Sequence, residues 1–414
     1  MKKKNILNQN FNIFKNFGYL SFIQIFNLIF PLILYPYIIR IIGAENYGEI
    51  LYVQSIAIYL SLVVNFGFNI YGTNEISKGD TSEDISKIIS NIFTCQIIFY
   101  CITLLILILI GCISQMEIMF FFLASYLCLN EIMIPVWYFQ GKENMKYIAI
   151  CSFISKLTAL IFIFILVNDS TDNLYILLSY AIGSIVCGMF ALFKIFKIDK
   201  NKIHIPKYED IKKVLIDSFP LFVSHSLGGL TLKSNALFIG ALIGKKELAY
   251  YDLAEKLVNL LSIFFQNFSN AIFPNVAKTK NQKLTRTALK IALISSVFII
   301  IITNIISEDL ITIIGGIDML PSIEILYLIS FTLIFRAVGP IISTSIMVVN
   351  NLGNKLGTSF VFGSIVYFSG ILILYLCNEF TVPYLIYNLT ISLAFVVIFR
   401  IYYCIKNGLS KWII

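Results

Sequence analysis

Five basic side chains lie in or beside long apolar runs of this sequence. Lys156, Lys233, Lys256 and Arg336 lie inside such runs, and Arg40 lies at the end of the first one. A lysine or arginine near the centre of a bilayer costs roughly 2.5–3.5 kcal/mol, so these residues usually face a cavity or an opposite charge. Lysine acts as a point charge and arginine as a fork of donors, and both bind phosphate groups. The set predicts a cationic, substrate-binding cavity; the alternatives are internal ion pairs and, for Arg40, a plain anchor at the membrane surface.

Three acidic residues lie in or near the same runs. Glu131 and Glu255 could each bind and release an ion, as coupling to H+ or Na+ would require, or could pair permanently with one of the cations. Asp217 lies at the start of a run, where a carboxylate is favoured as a helix cap. His204 and His225 are too few and too far apart for a metal site. No metal or other cofactor is therefore expected.

The rest of the chain is unusually apolar, and this predicts the elements that position these charges. Of 414 residues, 58% are hydrophobic and 13% are charged, whereas soluble domains are nearer half apolar and a quarter charged. Continuous apolar runs of about twenty residues predict membrane-spanning helices, because barrel strands would alternate at every second residue. We predict an all-α membrane protein of about twelve transmembrane helices. The runs are 18–39, 50–72, 88–113, 118–139, 147–168, 174–196, 215–243, 250–276, 286–306, 322–350, 357–377 and 383–404.

Basic residues between the runs fall mainly in alternate loops, with Arg40, Lys245 and Lys246 as exceptions. Cytoplasmic loops carry the excess of lysine and arginine, so this distribution predicts that both termini are cytoplasmic in a bacterial inner membrane. The same loops account for the net charge of +8, so no nucleic-acid partner is expected.

The basic segment 197–213 is the longest stretch between runs, and it divides the chain into residues 1–196 and 214–414. Gly43 after the first run has a counterpart in Gly244 after the seventh, which is a weak internal repeat. Transporters built from repeats place their substrate between the halves, so we expect two six-helix bundles around a central cavity.

Three segments carry a resemblance to a known family. They are residues 40–48, residues 244–256 and a proline–tryptophan–glutamine–glycine segment that is similar to a P-x-W-x-x-Q-G-x-E-x-M signature. The motif residues of that third segment are Pro135, Trp137, Gln140 and Gly141. The chain resembles the Wzx-type O-antigen flippases of the polysaccharide transporter family, although Ala249 stands where that family often has glycine.

The resemblance implies a non-enzymatic, alternating-access flippase for undecaprenyl-pyrophosphate-linked oligosaccharides of O-antigen, lipopolysaccharide or capsule. Implied partners are the lipid-linked oligosaccharide, membrane lipids and glycan polymerase or assembly proteins, with the chain acting as a monomer. A multidrug or cation extruder of the same superfamily is one alternative, but it would need an acidic cavity. A membrane-embedded enzyme acting on lipid-linked glycans is another, but it would be expected to carry a large outer loop.

Overall fold

The computed structural model describes the backbone of residues 2–79, 81–114 and 116–413, and the side chains of these residues except 2–25, 27–29, 32 and 224–229. Within this part of the chain the structure is entirely helical, without a β-strand. The chain forms two compact units, Met1–Ser226 and Leu227–Ile414. The division lies inside a helix, later in the chain than the basic segment 197–213, so the domain limits drawn from sequence stay a prediction.

In the described part of the chain, the first unit contains eight helices and the beginning of a ninth. They are α1 (Lys2–Asn65), α2 (Phe68–Lys78), α3 (Ser82–Ile113), α4 (Ile118–Ala124), α5 (Tyr126–Met133), α6 (Val136–Gly141), α7 (Met145–Leu166), α8 (Asn173–Phe193) with a π-helical end at Lys194–Ile198, and α9 (Tyr208–Phe238). Because α9 begins at Tyr208, the predicted capping role of Asp217 is wrong: Glu209 and Asp210 occupy its first turn.

Among its described residues, the second unit contains the end of α9 and seven further helices. They are the π-helical continuation Ile239–Ile243, α10 (Lys245–Thr279), α11 (Gln282–Ile305), α12 (Ser307–Gly315), a 3-10 turn at Ile317–Met319, α13 (Ser322–Ser330), α14 (Thr332–Ile341) with a π-helical end at Ile342–Val348, α15 (Asn354–Leu376), α16 (Val382–Lys406) and a 3-10 turn at Ser410–Trp412.

Nine helical segments of the described residues are long and apolar enough to cross a membrane. One of them, Ile33–Lys78, is 46 residues long and is broken at Gly43, so it includes parts of two predicted spans. Helix α10 is not among these nine, and of α9 the described stretch Leu230–Ile243 is a shorter apolar helix. The prediction of an all-helical, multi-pass membrane protein is confirmed.

Large apolar side chains cover the outside of several helices. Leu105 and Leu109 on α3 are 62% and 60% exposed, and Ile294 on α11 is 69% exposed. Soluble monomers rarely expose contiguous apolar surface of this kind, whereas lipid solvates it. These faces are the lipid-facing surfaces of the helices.

A glycine with a non-helical backbone joins two long helices in each unit. Gly43 interrupts α1 at φ 76° and ψ 170°, and the positive φ at this position favours glycine. Gly244 precedes α10 with an extended backbone, and a Cβ there would lie 2.1 Å from the Glu247 carboxylate. The two breaks correspond to the weak repeat in the sequence.

Candidate functional site

A cavity of about 610 Å³ lies within the second unit. Side chains from α9, α10, α14, α15 and α16 line it. Its titratable lining consists of Lys233, Glu255, Arg336 and Arg400, which is three basic side chains and one carboxyl group among the described residues.

Helix α10 presents a polar stripe to this cavity. Glu255, Asn259, Ser262 and Gln266 all line it, and their spacing of three or four residues places them on one face of an α-helix. The neighbouring Lys256 points away from that lining and pairs with Asp252, with 2.5 Å between Nζ and Oδ2. Glu255 and Lys256 are adjacent in the sequence, but their positions on the helix place the two side chains in different surroundings.

Arg336 on α14 reaches the polar stripe through Asn259. Its Nη1 donates a hydrogen bond to the Asn259 side-chain oxygen, while its buried Nε and Nη2 have no described hydrogen-bond partner. Nε and Nη2 lie on the same edge of the planar guanidinium, the edge that binds the oxygens of a carboxylate or phosphate in pairs. One side of Arg336 is thus held by the protein, and its buried two-donor edge has no hydrogen-bond partner among the described residues.

Arg400 on α16 is a cavity residue that the sequence analysis did not name as a candidate site residue. Only 5% of it is exposed. Its Nε donates to Ser359 Oγ at 3.0 Å and its Nη1 to the Gly339 carbonyl at 3.4 Å, and the guanidinium lies 4.7 Å from the Phe360 ring centroid. Its Nη2 has no described partner. The sequence feature that could have indicated this role is the position of Arg400 inside the last apolar run, 383–404.

Glu255 is 7% exposed and lies within electrostatic range of Lys233 and Arg336. None of Lys233, Glu255 and Arg336 forms an ion pair within 4.0 Å with another described residue. Glu255 thus lies near Lys233 and Arg336 without forming an ion pair with either residue. Of the predicted site residues, the structure brings these three together.

The other predicted cations lie elsewhere. In the first unit, the Nζ of Lys156 on α7 lies 5.3 Å from the Phe30 ring centroid and 5.9 Å from that of Phe26. Arg40 is an exposed residue of α1, three residues before the break at Gly43. The substrate-binding roles of Lys156, Arg40 and Lys256 stay predictions.

Glu131 on α5 has amide neighbours. Asn65 Nδ2 donates to its carboxylate at 2.6 Å, and Gln96 Nε2 donates to its backbone oxygen at 3.0 Å. Glu131 forms no ion pair with another described residue. A role in ion coupling stays a prediction.

The motif segment packs helices together. Trp137 on α6 is fully buried, makes an edge contact with Phe93 at 5.7 Å, and would lie 2.9 Å from a Cβ at Gly72 on α2. A Cβ at Gly141 would lie 2.6 Å from the Ile76 Cβ, and Gln140 contacts Thr73 at 3.4 Å. Pro135 precedes the first residue of α6. The close packing of α6 against α2 therefore explains why the motif combines the large Trp137 with the small Gly141.

The same segment holds the start of the basic loop. Tyr138 Oη donates to Asp199 at 2.9 Å, and Asn201 Nδ2 donates to the Tyr138 oxygen at 3.0 Å. Lys194 pairs with the same Asp199 carboxylate at 2.5 Å. The loop between α8 and α9 is therefore tied to the motif helix.

Comparison with known proteins places the chain in a family. The family described as polysaccharide biosynthesis protein matches residues 13–280. A protein of Escherichia coli (strain K12) whose provisional name is O-antigen transporter is 26% identical over 273 residues, which cover 64% of this chain and 65% of that protein. The capsular polysaccharide biosynthesis protein CapF of Staphylococcus aureus is 24% identical over 80% of this chain and 85% of its own length.

Solved structures with the same fold are membrane transporters by title. The lipid II flippase MurJ, in an inward closed conformation, matches with a TM-score of 0.68 at 15% identity, over 96% of this chain and 90% of that one. An inward-facing multidrug resistance MATE family transporter matches with a TM-score of 0.64 at 12% identity, over 93% of this chain and 99% of that one. These likenesses confirm the fold, and the matched sequence shows that the chain belongs to the polysaccharide biosynthesis protein family.

Proposed function

We propose that this protein is an alternating-access flippase that moves a lipid-linked oligosaccharide with a phosphate-containing headgroup across the membrane. The observation that carries the proposal is the group of basic side chains that line one cavity, among which the buried Nε and Nη2 of Arg336 have no hydrogen-bond partner in the described part of the chain. A buried polar donor without a partner costs about 1–3 kcal/mol, and a charged one costs more. A phosphate group supplies the oxygens that would satisfy these donors.

The relatives support a glycan substrate. The Escherichia coli relative is named for O-antigen transport and the Staphylococcus aureus relative for capsular polysaccharide biosynthesis, while the MurJ structure is titled a lipid II flippase. We infer an undecaprenyl-pyrophosphate-linked repeat unit of O-antigen or capsule as the substrate. The cationic cavity would hold the phosphates, and the prenyl chain would remain in the lipid.

The distribution of basic residues supports an inner-membrane protein with both termini in the cytoplasm. In that orientation Arg400, six residues before the end of α16, would lie about 9 Å from its cytoplasmic end at a rise of 1.5 Å per residue. Arg336 would lie near mid-membrane, and Lys233 would lie nearer the outer end of α9. The three cations would thus lie at different depths in the membrane, along a path for an anionic headgroup.

The charge of the cavity disfavours the main alternative, a cation extruder. A cavity with three basic side chains and one carboxylate repels a cationic drug. Ion coupling through Glu131 and contact with glycan assembly proteins are compatible with the flippase. The protein would need no covalent chemistry and hence no enzymatic activity.

Complementation of a flippase-deleted bacterium that supplies the native glycan pathway tests this function. We expect the wild-type chain to restore surface polysaccharide, and Arg336→Gln to accumulate lipid-linked intermediate on the cytoplasmic side at equal membrane expression. Lys290→Gln, an exposed change on α11 outside the cavity, is the matched control. A wild-type chain that leaves the intermediate unflipped with its native glycan would contradict the proposal.

A further inference from the structure

The loop between α8 and α9, residues 199–207, combines exposed lysines with exposed isoleucines. Ile203 is 72% exposed, and Ile205, at 98%, is more exposed than any other large apolar side chain of the described residues. We propose that this loop is a binding site for anionic phospholipids at the membrane surface, with its isoleucines among the acyl chains and its lysines at the headgroups. Such a site is independent of the transported substrate, since it requires only that α3 crosses the membrane.

The loop is held against the beginning of α3 by its own backbone. The Lys202 N–H donates to Ser86 Oγ at 3.1 Å, and the His204 N–H donates to Ser90 Oγ at 2.9 Å. Four residues of a helix rise about 6.0 Å and two residues of an extended chain rise about 6.6 Å, so the two spacings match. Alternate side chains of an extended chain share a face, and the two isoleucines, which are also two residues apart, therefore project on the same side.

The same contacts indicate the depth of the loop in the membrane. Lys87, which lies between the two serines, is the last charged residue of α3. Residues 92–113 contain no charged side chain and extend over about 33 Å, which is close to the roughly 30 Å of a hydrocarbon core. The serines, and with them the loop, therefore lie where the headgroups meet the hydrocarbon. At this depth acyl chains can cover Ile203 and Ile205, which the protein leaves exposed.

The charges of the loop complement an anionic surface. Lys200, Lys202 and Lys207 are exposed, and none of them forms an ion pair within 4.0 Å with a described residue. Asp199 is the only acidic residue of the loop, and it pairs with Lys194. A lysine close to anionic headgroups strengthens association by about fivefold. An acidic soluble protein could use the same charges, but isoleucines at the edge of the hydrocarbon favour lipid.

Tryptophan quenching in vesicles tests this site. Ile205→Trp places an indole where the side chain is almost fully exposed, so the fold should be unchanged. The purified full chain is reconstituted in phosphatidylcholine vesicles in which one quarter of the lipid has brominated acyl chains. The brominated lipid is either phosphatidylglycerol or phosphatidylcholine, and bromine quenches an indole that it contacts. The wild-type chain in the same vesicles gives the signal of Trp137 and Trp412, which is subtracted.

We expect both lipids to quench the new indole at low salt, with an association constant about fivefold larger for phosphatidylglycerol, and this preference should weaken at high salt. Adding Lys202→Gln and Lys207→Gln together should bring the preference close to one. Adding Lys246→Gln instead, at an exposed lysine of α10, should leave it unchanged. Leu105→Trp, at a lipid-facing position of α3, is the control for plain lipid contact, and the two lipids should quench it equally.

Three results would overturn the proposal. An indole at residue 205 that neither lipid quenches would place the loop in water, where a soluble partner becomes the better occupant. Equal quenching by the two lipids would remove the selection for anionic headgroups, and a preference that survives the loss of both lysines would remove their role. Ile203→Trp is a second reporter on the same face and should give the same result if the variant at residue 205 folds poorly.

Discussion

The edge of Arg336 that carries Nε and Nη2 yields a prediction that separates hydrogen-bond geometry from charge. Nη1 is held by Asn259, whereas Nε and Nη2 are buried without a described partner. Arg336→Lys keeps one positive charge at this position but replaces the planar two-donor edge by a point charge. We expect the loss of one charge-assisted hydrogen bond to phosphate, worth about 1.5–3 kcal/mol. This corresponds to a roughly 10- to 150-fold larger dissociation constant.

The assay is equilibrium binding of a water-soluble probe, a short-chain prenyl diphosphoryl-N-acetylglucosamine, to the detergent-solubilised chain, combined with the melting temperature of the chain. Arg286→Lys, the same chemical change on α11 outside the cavity lining, is the matched control and should leave binding unchanged. Arg336→Gln should bind more weakly than Arg336→Lys, since it loses the charge as well as the edge. An Arg336→Lys variant that is folded and binds with wild-type affinity would refute paired recognition of phosphate by this edge.

Three further predictions follow from contacts in the two units. Asn259→Asp places a carboxylate against Arg336 Nη1 and lowers the cavity charge by one, so the diphosphoryl probe should bind roughly tenfold more weakly; an unchanged Kd would contradict the assigned contact. Trp137→Ala removes a fully buried indole between α6 and its neighbours and should cost about 3–5 kcal/mol of stability, measured as a lower melting temperature in detergent; an unchanged melting temperature would contradict its packing role. Glu131→Gln retains an acceptor for Asn65, so probe binding should persist while the response of proteoliposome transport to an H+ or Na+ gradient is lost; an intact response would exclude Glu131 as the coupling group.

The helical fold was predictable because its cause is local. A continuous apolar run of sufficient length must satisfy its own backbone hydrogen bonds in lipid, and only the residues of the run itself enter that requirement. The breaks were less predictable. Gly43 interrupts one long helix with a positive φ that glycine adopts readily, and the apolar pattern around it did not specify that break.

The role of the motif segment was also only partly predictable from the sequence. Its resemblance indicated the family, and the match over residues 13–280 agrees with that. The resemblance did not indicate what Trp137 and Gly141 contact. The structure shows them in the α2–α6 packing, because Gly72 and Ile76 lie on the facing helix more than sixty residues earlier.

The sequence by itself determined which residues carry intramembrane charge, and only the tertiary structure decided which of them share a cavity. Lys256 and Glu255 are adjacent in the chain, yet one pairs with Asp252 and the other lines the cavity, because neighbouring positions on a helix point in different directions. Arg400 has the sequence signature of a residue near a cytoplasmic helix end. Its burial against Phe360 and Ser359 depends on α15, which is a separate helix. No local pattern in α16 specifies which side chains of α15 pack against it.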